Sequence, residues 1–308
     1  MLPKPKRLLI AYPASRVGDI TLLCEAYQQV GIQTTMQMYS GKPQSAAIES
    51  TLLNQADAML LVGDSRFAPG TVSSGPFITD QTGRRIPFAW LPVKNQDGLI
   101  RFAQTIRLVH SRGRQVPGLA MLGQWHPRYL QLSDRVESIL KDRVHTFRWT
   151  SDVISRSDLV SALGSGLGMS LYVGHGRPIG WVGYYGMRAH HFDTFSGSPI
   201  GCVLSLCCRT ASRRRTALSY AEALPVMGVA AAAFGAVKET RHTDNTRWIV
   251  RICESLLQGA DNLADLLLRS APANLEAIQH YRIIGDPFAP LYSDLAGMAK
   301  AKAVMTYP

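Results

Sequence analysis

Few features of this 308-residue chain would staple it, anchor it or load it with a cofactor. Its five cysteines, Cys24, Cys202, Cys207, Cys208 and Cys253, form no Cys-x-x-Cys pair, no His/Cys ligand spacing and no even-numbered framework. That excludes a disulfide scaffold and a structural zinc site, and free thiols point to a reducing compartment, the cytoplasm. No stretch is long and apolar enough to span a membrane. The apolar run LLIAY, residues 8–12, follows a basic start but ends at Pro13, so it reads as a first strand and not as a signal peptide. The chain also lacks a dinucleotide fingerprint in the right context: GSGLGMS precedes a strand, where such a loop would open a helix after one. His190, His191 and Asp193 share one loop without a fourth ligand, so no metal and no other cofactor is expected.

Acidic side chains are outnumbered, 22 to 33, giving a net charge of +11 and a pI near 9.6. An acidic partner would suit that balance. Yet the only dense basic cluster, Arg209 with Arg213, Arg214 and Arg215, has no interleaved aromatics to stack bases, which argues against nucleic acid. Hydrophobic content of 46% and charged content of 18% are those of a folded globular protein.

Short apolar or β-prone runs, Arg7–Tyr12, Gln33–Tyr39 and Ala58–Asp64, alternate with helical segments. This order predicts an α/β fold with a mostly parallel sheet flanked by helices, its first subdomain flavodoxin- or Rossmann-like over residues 1–115. A Gly/Pro/Ser-rich stretch follows and is expected to loop back through a strand to Val93, before a helix bridges to the second subdomain, residues 116–308. There SDRVESILKD predicts a helix capped by Ser133 or Asp134. SDLVSALGSG predicts another, with Ser157 before it and Gly164 in a left-handed C-terminal cap. MSLYV (169–173), GCVLSL (201–206) and GVAAAAFGAV (228–237) read as buried central strands.

Two of these runs stop at reactive residues: GMSLYVGHGRPIGW at His175, between two glycines, and GCVLSLCCRTASRRR at Cys207 and Cys208. Functional groups collect where parallel strands end at their carboxyl edge. If the two strands are neighbours, His175 and a cysteine face one crevice. A thiol attacks only as thiolate, and a nearby imidazole both activates it and protonates a leaving amine. Gly174 and Gly176 permit close backbone approach, and the N–H groups of Gly176 and Cys208 are candidates for an oxyanion hole. Either residue alone is more often a bonded core histidine or a packed cysteine, and the pairing of two strand ends is what points to chemistry.

GMSLYVGHGRPIGW resembles the Gly-His-Gly motif of the gingipain family of cysteine peptidases, in the caspase-like clan. Further resemblances follow in the same order: LLVGDSRFAP and TDQTGRRIPFAWLPV in the first subdomain, SYAEALPVMGVAAAAFGAVKET after the nucleophile, and the terminal Gly-Asp-Pro of YRIIGDPFAPLY. The resemblance implies a caspase-like sheet and a Cys-His dyad for peptide hydrolysis, with His175 as general acid/base. Leu206-Cys207-Cys208 matches the family's apolar-small-nucleophile order with Cys208 reactive, and Cys207 is the runner-up. The chain departs from the family at Arg177, where a small residue is usual, and after Cys208, where glycine is usual. No acidic residue occurs between Asp97 and Asp134 to build the pocket of Arg-specific relatives.

Trp181, Tyr184 and Tyr185 are candidate walls of the substrate pocket. Arg213, Arg214 and Arg215 form a candidate processing or partner-binding loop. The expected partners are a protein or peptide substrate and a possible protein activator. Two rival readings keep the fold: a catalytically silent caspase-like binding module, and a regulated peptidase of the CHAT group, whose Cys-x-Thr-Ala resembles Cys208 to Ala211.

Overall fold

In the computed structural model, residues 5–112, 116–193, 195–271 and 276–305 are described. The first half runs β1 (Arg7–Pro13), α1 (Val17–Gln29), β2 (Gln33–Tyr39), α2 (Ser50–Gln55), β3 (Ala58–Asp64), α3 (Pro69–Val72), β4 (Phe77–Thr79), β5 (Arg85–Val93) and α4 (Gln96–His110). β4 and β5 form a hairpin inside the Gly/Pro-rich stretch. The second half begins with β6 (Val116–Gly123), α5 (Pro127–Leu140), β7 (His145–Thr150), α6 (Arg156–Leu163) and β8 (Met169–Val173). A ribbon of β9 (Gly176–Arg177) and β10 (Gly180–Trp181) follows, then a turn, α7 (Gly183–Gly186). The chain continues through β11 (Ile200–Leu206), α8 (Tyr220–Val226), β12 (Ala230–Ala236), α9 (His242–Leu257), α10 (Leu263–Ser270), β13 (Tyr281–Gly285), β14 (Tyr292–Ser293) and α11 (Leu295–Met305).

One sheet carries both halves, in the order β14-β6-β8-β11-β12-β13-β5-β3-β1-β2, with β7 on β6 and β4 on β5. β1, β2, β3 and β5 pair in parallel, as do β6, β7, β8, β11 and β12. The expected mostly parallel α/β sheet flanked by helices is therefore present. The central strands are apolar throughout because both faces are covered: every residue of β8, β11 and β12 is buried. β13 runs antiparallel to β12 and also pairs with β5, so a late segment closes the gap between the halves. The boundary expected at 115 falls beside residues 113–115, outside the described set. No helix among the described residues is long and apolar enough to cross a membrane.

Several local expectations are corrected. α5 starts at Pro127, six residues before Ser133, because Pro at the first helical position and the His126 side chain, accepting from Arg128 N, already open the helix. Ser155, not Ser157, caps α6, accepting from Asp158 N. Gly164 has φ −81°, and the left-handed residue is Gly166, at φ +88°.

Arg213 does not belong to an exposed loop. Its guanidinium forms a two-pronged ion pair with Glu222, whose side chain is fully buried, and donates to the Ser65 carbonyl beyond β3. Trp90 Nε1 of β5 donates to the same carboxylate at 3.3 Å. Glu222 also closes a capping box with Ser219 at the start of α8. The pair thus ties the loop after β11 to the first half, while Arg214 and Arg215 remain exposed.

Removing one partner of a buried pair strands the other charge. Arg213→Ala is expected to cost about 3–5 kcal/mol in urea denaturation, against about 0.5 kcal/mol or less for Arg214→Ala. Gly168 makes a second sensitive point, since a Cβ there would lie 2.2 Å from the Leu291 carbonyl oxygen. Gly168→Ala should lower stability by about 3 kcal/mol, read as a reduced Tm.

Candidate active site

β8 and β11 are parallel neighbours with Val173 opposite Leu206, the last residue of each strand. Both chains therefore leave the sheet at the same level. His175 lies two residues past one strand end and Cys208 two past the other. Both line one cavity of about 210 Å³, together with Arg128, Tyr129, Thr240, His242 and Asn245.

The turn that carries His175 is held by its backbone. Gly174 has φ +154°, and a Cβ there would meet the Tyr172 hydroxyl at 2.5 Å, so glycine is required. His175 N donates to Gln124 Oε1 at 3.0 Å, and the His175 carbonyl accepts from Tyr172 OH at 3.1 Å and Val182 N at 2.9 Å. The ring is exposed, stands edge-on to Tyr129 at 6.0 Å, and shares a 3.5 Å contact between Nε2 and the Tyr129 hydroxyl. Gly176 then passes directly over the cysteines: a Cβ on it would sit 2.3 Å from the Cys208 carbonyl oxygen and 2.6 Å from Cys207 Sγ.

Of the five thiols only Cys208 is not buried. Burial pushes Cys207 far above the ordinary thiol range, and does the same to Cys202. Cys24 is pushed up to about 11 and Cys253 to about 12, again chiefly by burial. Cys208 Sγ sits against Thr240, accepting from its N–H at 3.4 Å and lying 3.6 Å from its carbonyl and 3.7 Å from its hydroxyl.

Behind Thr240 stands Asn245 on the first turn of α9. Its Nδ2 donates to Thr240 Oγ1 and to the Leu206 carbonyl, both at 3.0 Å, and its Oδ1 accepts from Tyr281 OH of β13 at 2.7 Å. His242 closes the cavity edge-on to Tyr129 at 5.5 Å. Burial, followed by the charges of Arg128, His126 and His175, lowers its affinity for a proton. Tyr129, Thr240, His242 and Asn245 escaped sequence reasoning because no local pattern links them to either strand end.

The proposed pocket walls need correction. Trp181 and Tyr184 are fully buried. Trp181 stacks on Tyr172 with ring centroids 4.4 Å apart and donates to Ser205 Oγ at 3.0 Å, while the Tyr184 hydroxyl accepts from Gly123 N at 3.1 Å and donates to the Trp149 carbonyl. Of the three only Tyr185 faces solvent, 97% exposed. It and Tyr184 occupy left-handed backbone, φ 55° and 58°, which costs energy for a bulky side chain. Among the described residues no group of three His, Cys, Asp or Glu side chains gathers to hold a metal.

Comparison with solved structures places this fold beside known peptidases. The Arg-specific cysteine proteinase gingipain R superposes with a TM-score of 0.70 at 13% identity, over 94% of this chain and 79% of that one. The complex of pro- and mature domains of RgpB from Porphyromonas gingivalis gives 0.66 at 13% identity, over 94% and 80%. The separase–securin complex of Saccharomyces cerevisiae gives 0.51 at 11% identity, over 74% of this chain and 16% of that one. No curated protein sequence matches significantly. The sequence model of peptidase family C25 matches residues 121–292, more than half the chain and spanning both strand ends. The chain is therefore a member of peptidase family C25, a cysteine-peptidase family, with the caspase-like fold.

Proposed function

We propose that this protein is an endopeptidase working through a Cys208–His175 dyad. The observation that carries the reading is the β8–β11 register, which brings His175 and the one unburied cysteine to a common cavity. The Cys208 thiolate attacks the scissile carbonyl and the C–N bond breaks as His175 protonates the departing amine, leaving an acyl-enzyme. His175 then takes a proton from water, whose oxygen displaces the thiolate and releases the acid. The N–H groups of Gly176 and Cys208 are the donors proposed for the oxyanion, and the tight packing of Gly176 on the Cys208 carbonyl keeps them together. Cys207 is the weaker nucleophile candidate because its sulfur is buried against Gly176.

One observation favours control by an activator. Among the described residues His175 contacts Tyr129 and Cys208 contacts Thr240, and no hydrogen bond joins the dyad. A partner or substrate that draws the two side chains together would switch the site on. Relatives of this fold were solved with a pro-domain and with securin, which fits regulation by a bound protein. The free thiols suit a reducing, cytoplasmic setting.

Brief treatment of the native protein with iodoacetamide, followed by peptide mass spectrometry, is expected to modify Cys208 while Cys24, Cys202, Cys207 and Cys253 resist until denatured. Digestion of a diverse peptide mixture should be abolished by Cys208→Ala, fall by about 100-fold or more in His175→Ala, and survive in Cys207→Ser. Cleavage that persists in Cys208→Ala would sink the dyad.

A further inference from the structure

The ribbon that begins one residue after His175 carries an arrangement that the dyad does not use. Arg177 in β9 is paired with Gly180 in β10, and Gly180 is bridged on its other side to Arg188. Directly opposed residues of antiparallel strands project to the same face, so two arginines flank a glycine across three adjacent backbone segments. A side chain at Gly180 is excluded, because a Cβ there would lie 1.8 Å from the Met187 carbonyl oxygen. The floor between the arginines is therefore bare backbone.

Neither arginine is neutralised. Arg177 is exposed and takes part in no ion pair or side-chain hydrogen bond among the described residues. Arg188 spends Nη1 on the carbonyls of Trp181 and Met187, at 3.1 and 3.2 Å, which fixes its guanidinium at the base of the ribbon but supplies no carboxylate. Arg156, at the start of α6, reaches only the Tyr185 carbonyl, at 3.5 Å. Burial and the charges of Arg177 and Arg156 all disfavour the cation at Arg188. Three like charges held in mutual repulsion are relieved by an anion.

Arg156 also opens onto space: with Tyr185, His191, Ser155, Ser157 and Ser161, among others, it lines a cavity of about 790 Å³. His191 Nδ1 accepts from Arg188 N at 2.9 Å, so in the neutral ring Nε2 carries the proton. The lining thus offers donors. Arg177 itself directly follows Gly176, which packs over the Cys208 carbonyl.

We infer that Arg177 and Arg188, backed by Arg156, form a subsite for an acidic side chain of the peptide substrate. The inference rests on the peptidase reading above and extends it to substrate class. A guanidinium binds a carboxylate in a planar, charge-assisted pair, and two of them across a glycine floor grip it from both sides. Arg177, which stands where the family's usual residue is small, becomes the selecting group.

The test uses pairs of fluorogenic peptides that differ only in Asp against Asn, or Glu against Gln, scanned through each position around the scissile bond. The wild type should cleave the acidic member with kcat/KM about tenfold or more above its amide twin at one position. Arg177→Gln should bring that ratio to within about threefold, and Arg177→Glu should turn the preference towards Lys at the same position. The wild-type ratio should also shrink as salt rises from about 0.05 to 0.5 M. Arg177 is the variant of choice because its side chain makes no hydrogen bond or ion pair among the described residues, whereas Arg188 also braces the ribbon.

Cys208-dependent cleavage with no acidic preference, or a preference unaltered in Arg177→Gln, overturns the subsite and leaves the peptidase standing. If the wild type cleaves nothing and Cys208 is not selectively alkylated, the peptidase reading fails on its own. The subsite is then judged by fluorescence polarisation of labelled acidic and amide peptides on Cys208→Ala protein, and equal binding of the two overturns it.

Discussion

The parallel register of β8 and β11 is the constraint on which the site depends. Pairing Val173 with Leu206 ends two neighbouring strands at one level, and each segment then needs two residues to reach the side chain it places in the cavity lining. A slip of one residue would turn every side chain of a strand to the opposite face of the sheet. Such a slip is prevented by burial on both sides, since β8 and β11 contain no exposed position to accept the change. The all-apolar runs therefore set the relative position of two polar groups that lie outside them.

What the sheet begins, three other elements complete. Thr240 from the turn after β12, Asn245 from α9 and Tyr281 from β13 form a chain of hydrogen bonds running from the cysteine sulfur into the core. Asn245 also holds the Leu206 carbonyl, so the strand end and the group beside the thiol share one anchor. Asn245 is 7% exposed and Tyr281 fully buried, which makes a partly satisfied version of this network costly. On the opposite wall Tyr129 from α5 stands between His175 and His242 and fixes the shape of the crevice.

The strand ends were legible because local signals agreed there: continuous apolar runs that stop at His or Cys, with glycines on both sides of His175 that permit a sharp exit. The mostly parallel sheet followed from the same alternation of runs and helices. Partners drawn from distant elements left no such trace, so Tyr129, Thr240 and Asn245 had to be found in space. The aromatics in and after β10 misled because Gly-rich segments carry no periodicity to separate wall from core, and it takes the Tyr172–Trp181 stack and the Ser205 hydrogen bond to show that Trp181 points inward. Arg213 misled in a similar way. Ser219 and Glu222 spell a capping box, but nothing in that pattern reveals that the same carboxylate also holds an arginine nine residues earlier and an indole from β5.

The place of β13 governs the order in which the molecule can be assembled. It lies between β12 and β5, yet it is translated nearly two hundred residues after β5. Until it emerges from the ribosome, β5 and β12 present two open strand edges, the surfaces most prone to pair with other chains. Its arrival does more than fill the gap. Asp286, just beyond it, is fully buried and meets the hydroxyl of Tyr27 at 3.1 Å and the ring of His110 at 2.7 Å, so the helices of the first half are fastened in the same step. Tyr281 brings the hydroxyl that anchors Asn245. A nascent peptidase of this design would have its crevice braced only once β13 has been made, which delays a fully ordered thiol site until long after both strand ends have been synthesised.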